Sequence, residues 1–168
     1  TLRYCLSAGE HLPEATWQAW KDRTGIAITD GIGATEMMHI FISAAGDDIR
    51  PGATGKPVPG YRATVLGPDG DELGPDEPGR LGVIGPVGCR YLDDERQKDY
   101  VVSGWNVTGD VFHRDCDGYF HYHARSDHMI VSSGYNIGGP EVEEAIDTHP
   151  DVLESAVVAK PDDERGSI

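Results

Sequence analysis

Apolar positions follow two rhythms along this chain. "TLRYCLS" (Thr1 to Ser7) alternates as a strand does, and "LPEATWQAWKDRTG" then predicts a helix. Pro13 stands near its start, Trp17 and Trp20 share one face, and Gly25 is placed to stop it. "IAIT" is a second short strand. The glycines of "DGIGATE" follow it as a predicted turn at the strand's carboxyl end, where α/β folds bind ligands. From Gly52 to Asp127 the pattern shortens to apolar runs broken by the turn signals "GPDGDE", "GPDEPGR" and "DCDGYF". That texture predicts a β-rich module of hairpins with one helix, in "LDDERQKDYV". A last α/β pattern starts between Arg125 and His128. In it Pro140 and Glu141 open a helix with Val142, Ala145 and Ile146 on one face, and a Val-rich strand runs from Val152 to Ala159. No internal repeat is visible.

Composition changes this picture little. A chain of 168 residues can bury a core, and its 22 glycines and 11 prolines are dispersed between apolar runs. Charge excludes more. At a formal net charge of -15, binding to nucleic acid or to an anionic membrane surface is not expected, because both need a basic face. An anionic ligand must be held by local dipoles or through a metal ion. Cys5, Cys89 and Cys116 are odd in number and contain no CxxC, so neither a disulfide framework nor a thiolate zinc site is indicated. A cytoplasmic location is expected. The chain lacks an initiator Met and opens in mid-pattern, which predicts a piece of a longer protein.

Candidate chemistry gathers at a few places. Glycines after a strand let backbone N–H groups approach a phosphate, the Thr35 hydroxyl can add a donor, and Glu36 can hold a divalent cation. The same letters also fit a flexible turn with an exposed glutamate. Asp110, behind a glycine in "NVTGDVF", can accept hydrogen bonds from ribose hydroxyls or simply cap a turn. Arg125 in "ARSDHMI" can offer its planar fork to oxygens or form a surface ion pair with Asp127. His113, His121 and His123 with Asp115 and Asp117 admit a metal site, but two hairpin arms around an Asp-Gly turn explain them more simply. His39 either faces a ligand beyond the glycines or is a hydrogen-bonded core histidine. No G-x-S-x-G elbow is present, so nucleophilic hydrolysis has little support.

Taken in order, "GATE", "TGD", "RSDHMIVSSGYNI" and "PEVE" resemble the adenylate-forming superfamily of acyl-CoA synthetases, luciferases and peptide-synthetase adenylation domains over nearly the whole chain. "DGIGATEMMHIF", "GCRYLDD" and "GYFHYHARSD" are most similar to the benzoate and 2-aminobenzoate CoA ligases. The resemblance implies activation of an aromatic carboxylate by ATP with Mg²⁺, then transfer of the acyl group from AMP to coenzyme A, in a full-length enzyme for which a homodimer is one expected assembly. It implies that Thr35 meets the α-phosphate, Glu36 the Mg²⁺, and Asp110 and Arg125 the ribose, while Gly9 and Asp30 line the adenine pocket. Gly33, His39 and Ile40 would border the aryl acid, Asp127 would be a hinge, and Gly134 and Tyr135 would approach the pantetheine arm. Two positions depart from the pattern: Ile32 stands where many members stack a tyrosine on adenine, and Val131 where many have lysine.

The implied fold is mixed α/β and β. Residues 1–51 end the α/β part of the large adenylate-forming domain, 52–126 form a distorted β-barrel, and 127–168 begin a small α+β domain. The family's phosphate loop would precede Thr1 and its catalytic lysine would follow Ile168, so this chain alone is expected to bind nucleotide weakly and to turn over nothing measurable. The competing reading is a non-catalytic β-rich binding module, which has no reason to bring Glu36, Asp110 and Arg125 around one cavity. A folding core left by proteolysis of the enzyme is a third.

Overall fold

The structure is a computed structural model that describes residues 1–162 and 165–167. β1 (Cys5–Ser7) leads into α1 (Glu14–Thr24), and β2 (Ile28–Ala34) returns parallel to β1 with Cys5 opposite Ile28. The helix ends where the sequence places its stop, because Gly25 takes φ 74° and its N–H caps the Lys21 carbonyl at 2.8 Å. Trp17 donates its indole N–H to the Ile28 carbonyl at 2.9 Å, which fixes the helix against β2. β3 (His39–Ser43) pairs antiparallel with β2, and β4 (Lys56–Pro57) pairs with β3, giving a sheet of order β1-β2-β3-β4.

The glycines of "DGIGATE" correct an expectation. They lie inside β2, not in a turn. A Cβ on Gly31 would sit 2.8 Å from the Ile40 side chain, and one on Gly33 would sit 2.7 Å from the His39 carbonyl oxygen, so close approach of β3 is what requires them. The register slips between Ile32 and Gly33, which re-aims the end of the strand. The reversal comes later, in a single 3₁₀ turn at Thr35–Met37 that closes with Met38 in the left-handed region at φ 58°.

The second sheet curls as a half-barrel. It contains β5 (Arg62–Leu66), β6 (Gly79–Ile84), β7 (Val101–Val102), β8 (Trp105–Arg114) and β9 (Phe120–Arg125), ordered β5-β6-β8-β7 with β9 on the other side of β8. The helix expected in "LDDERQKDYV" shrinks to α2 (Gln97–Tyr100), because Asp94 turns back to accept from the Arg96 N–H at 2.9 Å and so takes the preceding residues out of a helix. Phe41, Ile42, Val65, Leu81, Val83, Phe112 and Phe120 form one core joining the first two sheets. Burying a side chain of this kind contributes about 1.5–3 kcal/mol.

β10 (Ile130–Ser132) and β11 (Tyr135–Ile137) form a hairpin, followed by α3 (Gly139–Asp147), β12 (Pro161–Asp162) and β13 (Gly166–Ser167), in a third sheet of order β11-β10-β13-β12. The strand expected from Val152 to Ala159 does not form. The Val157 N–H goes to a side-chain oxygen of Glu143 at 2.7 Å instead of to a neighbouring strand, so the valine alternation has no ladder to enter.

The histidines of "HRDCDGYFHYH" form cross-strand pairs on the β8–β9 hairpin, and among the described residues no cluster could hold a metal ion. His113 stacks on His121 with ring centroids 4.6 Å apart, and its Nδ1 lies 2.8 Å from His123 Nε2. Burial pushes the His113 imidazole below its ordinary range, neighbouring His121 and His123 push it further, and Asp76 and Asp115 oppose them. Burial does the same to His123 against the pull of Glu141. Both rings therefore stay neutral in the fold at a pH where the unfolded chain protonates them. Their contribution to stability is full above the unfolded value of about 6.5 and falls as the pH drops through it. The melting temperature is expected to fall between about pH 8 and about pH 5, and a His113→Gln/His123→Gln chain to fall less. An equal slope in both chains would remove this pair from the account.

Candidate functional site

A hollow of about 680 Å³ opens where three parts of the chain meet. The loop after β1 supplies Gly9 and His11, β2 supplies Asp30 to Gly33, the β8–β9 hairpin supplies Asp110, Tyr122 and Arg125, and α3 closes one side with Pro140 and Glu143. Strand geometry explains the central pair. Asp110 and Arg125 are directly opposite in the antiparallel register of β8 and β9, so a turn-bounded hairpin alone brings the acid to the base. The guanidinium Nη1 donates to Asp110 Oδ1 at 3.3 Å and to the Thr108 carbonyl at 3.2 Å, while Nε donates to Asp127 at 3.3 Å. Gly109 takes φ 83° beneath it, and a Cβ there would lie 3.0 Å from Arg125 Nη2. Burial would lower the arginine's affinity for its proton, and the charges of Asp110 and Asp127 more than reverse that.

Asp30 sits deeper. Burial raises its carboxyl above the usual carboxylate range, opposed by the Gly31 N–H, His11 and Ser7. Its Oδ1 is a buried acceptor with no partner among the described residues, so it is free to receive a donor from a ligand. Beside it, Ile32 lines the same hollow with an apolar surface.

Of the residues singled out in the sequence, Gly9, Asp30, Gly33, Asp110 and Arg125 line this hollow together. Thr35 and Glu36 lie just past Gly33 in the 3₁₀ turn, outside its lining. Glu36 is held: its Oε1 accepts from the Tyr91 hydroxyl at 2.6 Å. His39 is exposed, with Nδ1 2.6 Å from the Ile40 carbonyl, so it is not a core histidine. Ile40 is half-buried against Gly31. Asp127 lies in the turn between β9 and β10, exposed and beside Arg125. Gly134, at φ 84°, lies in the β10–β11 hairpin turn and the exposed Tyr135 opens β11, both outside the hollow's lining.

His11, Tyr122 and Tyr91 were not legible as site residues. His11 stacks on Tyr122, with centroids 5.2 Å apart, and its Nε2 reaches Glu144 of α3 at 3.0 Å. Tyr91 is 55 residues from Glu36 in a loop without periodicity, so no local pattern announces the pair. Its hydrogen bond to Glu36, with burial added, raises the Tyr91 phenol to about 12. Glu36→Gln removes that charged acceptor, so this phenol should titrate closer to the ordinary value of about 10. Near-ultraviolet absorbance of tyrosinate in an alkaline titration reads this, and an unchanged curve would count against the contact.

The profile of the family described as AMP-binding enzyme matches residues 1–90. The chain is 40% identical over 166 residues to the benzoate–CoA ligase of Thauera aromatica, covering 97% of this chain and 32% of that protein. It is 38% identical over 175 residues to the mitochondrial acyl-coenzyme A synthetase ACSM3 of Homo sapiens, covering all of this chain and 30% of that one. Among solved structures, the anthranilate CoA ligase AuaEII in complex with anthranoyl-AMP superposes with a TM-score of 0.90 at 40% identity, over 99% of this chain and 33% of that one. The chain thus spans about a third of the length of the proteins it matches.

Proposed function

This chain belongs to the AMP-binding enzyme family, and from that premise we propose that it is the nucleotide-facing part of an ATP-dependent aryl-CoA ligase. The substrate class is a benzoate or 2-aminobenzoate type of acid. Relatives described as benzoate–CoA ligase and anthranilate CoA ligase support the aromatic choice, beside relatives described as acyl-coenzyme A synthetases. The single observation that carries the reading is the convergence of Asp30, Gly33, Asp110 and Arg125 on one hollow. Of Glu36, Asp110 and Arg125, over which this reading and a non-catalytic binding module differ, Asp110 and Arg125 line the hollow and Glu36 lies outside its lining.

A carboxylate resists attack by a thiol until one oxygen becomes part of a good leaving group, and adenylation supplies that group. In this reading Asp110 accepts the ribose hydroxyls, and Arg125, anchored by Asp110, Asp127 and the Thr108 carbonyl, donates to the same sugar. Asp30 Oδ1 takes a donor from adenine, whose face rests on Ile32 and Gly9. The Thr35 hydroxyl lies on the turn that follows and donates to the α-phosphate. Gly33, His39 and Ile40 border the aryl acid. Asp127 serves as the hinge between residues 52–126 and 127–168, with Gly134 and Tyr135 presented to the pantetheine arm of coenzyme A. The half-barrel falls within 52–126 and the third sheet within 127–168, which supports the later boundary, while the first sheet runs past residue 51 because β4 pairs with β3.

The donor set fits Mg²⁺ only as an ion carried by the nucleotide. Among the described residues no group of His, Cys, Asp and Glu could hold a metal unaided, and Glu36 offers one hard oxygen site. Mg²⁺ ordinarily binds one or two carboxylates together with substrate phosphates and water. Bound there, it would supply charge stabilisation at phosphorus. The test is pyrophosphate exchange into ATP, with benzoate and 2-aminobenzoate, in this chain and in a protein of the relatives' full length that contains it. Acid-dependent exchange is expected only in the longer protein. Its absence there removes the aryl reading, and robust exchange by the chain alone would contradict the assignment of essential groups beyond it.

A further inference from the structure

We propose that Tyr91 is a positioning residue that orients the Glu36 carboxylate toward a nucleotide-borne divalent cation. The inference rests on the reading of Glu36 given above and adds a residue to it. The backbone around Glu36 is already fixed. Met37 is fully buried, the Tyr61 hydroxyl donates to the Met37 carbonyl at 3.1 Å, and the 3₁₀ turn is closed by the Met38 N–H on the Thr35 carbonyl at 3.1 Å. What remains free is the direction of the Glu36 side chain, which carries three rotatable bonds. Tyr91 removes that freedom by donating to Oε1 at 2.6 Å, and it leaves Oε2 with no protein donor among the described residues. One oxygen is tied and the other is presented, which suits a cation that takes a single oxygen from a carboxylate and keeps its other positions for phosphate and water.

Tyr91 is itself braced on three sides. Its backbone N–H donates to Gln97 Oε1 at 2.8 Å, its ring packs on Tyr100 with centroids 5.2 Å apart, and the Arg96 guanidinium lies over the ring, 4.8 Å from its centroid. Tyr100 is buried and joins the core, so the brace reaches rigid structure. A hydroxyl held this firmly, 55 residues away in sequence, is placed to act on Glu36 and is not itself part of the hollow's lining. Support of a metal ligand by an outer hydrogen bond typically changes metal affinity about 10- to 100-fold.

The experiment is a titration of the chain with Mn²⁺ in the presence of ATP. Paramagnetic broadening of the Thr35, Glu36 and Met37 amide signals reports occupancy at this carboxylate alone. Tyr91→Phe keeps the ring and its packing. It is expected to melt with the wild-type chain yet to need about tenfold more Mn²⁺ for the same broadening. Gln97→Ala, which loosens the loop and leaves the phenol in place, is expected to shift the midpoint in the same direction by a smaller factor. Glu36→Gln is expected to abolish the local broadening. If Glu36→Gln abolishes it while both other variants stay within about twofold of wild type, the positioning role is overturned and the reading of Glu36 stands. If broadening persists in Glu36→Gln, that reading falls and the positioning role with it.

Discussion

An Asp110→Ala chain is expected to bind AMP about a hundredfold more weakly than wild type. Asp110 is buried, with its side chain 13% exposed, so its hydrogen bonds to a ligand form with little competition from water. A hydrogen bond to a charged group contributes about 1.5–3 kcal/mol, and two ribose hydroxyls can share this acceptor. Arg125 is not stranded by the change, because Asp127 and the Thr108 carbonyl still accept from it. The loss therefore belongs to the sugar contact, and a ligand cycle isolates it. Wild type should prefer AMP over its 2′,3′-dideoxy analogue by a factor similar to the loss caused by the substitution, and Asp110→Ala should have almost no preference. Calorimetric titration of both nucleotides against both chains measures this. A variant that still distinguishes the two nucleotides as wild type does would move the ribose elsewhere.

The largest effect on stability is expected at Gly55. Its φ of +131° is one that side chains rarely adopt, and a Cβ there would meet the Ser43 carbonyl carbon at 2.2 Å, its oxygen at 2.4 Å and the Ala44 nitrogen at 2.6 Å. All three are backbone atoms, so no rotamer change relieves the clash. Gly55 also accepts from the Phe120 N–H at 2.8 Å while the Thr54 N–H donates to Phe120, a bridge that joins the first sheet to the half-barrel beside a fully buried ring. Gly55→Ala should cost more than about 4 kcal/mol, lowering the melting temperature by on the order of 10 °C or abolishing a cooperative transition. Gly60→Ala provides the contrast. That glycine has φ +95° with nothing within 4 Å of a built Cβ, so only the conformational cost of about 1–2 kcal/mol applies. Equal melting of the two variants would refute the steric account.

What the sequence made legible was local or had a strand period. α1 could be read from Trp17, Trp20 and Gly25 because its apolar face and its stop lie within one short stretch. Asp110 and Arg125 could be paired in function because a hairpin makes distant letters neighbours by register. β2 was harder: glycine has no side chain to declare a face, so Gly31 and Gly33 look like a turn when β3 in fact crowds them. The segment from Val152 to Ala159 failed for the opposite reason. Alternation reports which residues fit a strand but not whether a partner edge is near, and here Glu143 answers Val157 instead. Tyr91 and His11 act through long-range contacts that no period encodes.

The stacking of His11 on Tyr122 has a spectroscopic consequence. The imidazole lies at 25° to the tyrosine ring while its Nε2 is tied to Glu144. Its carbon-bound protons therefore sit in the shielding cone of an aromatic current, and their resonances should move upfield. Any change in how α3 is seated alters the tether before it alters the ring beneath. The chain thus contains its own isotope-free gauge of that helix, which one proton spectrum can read.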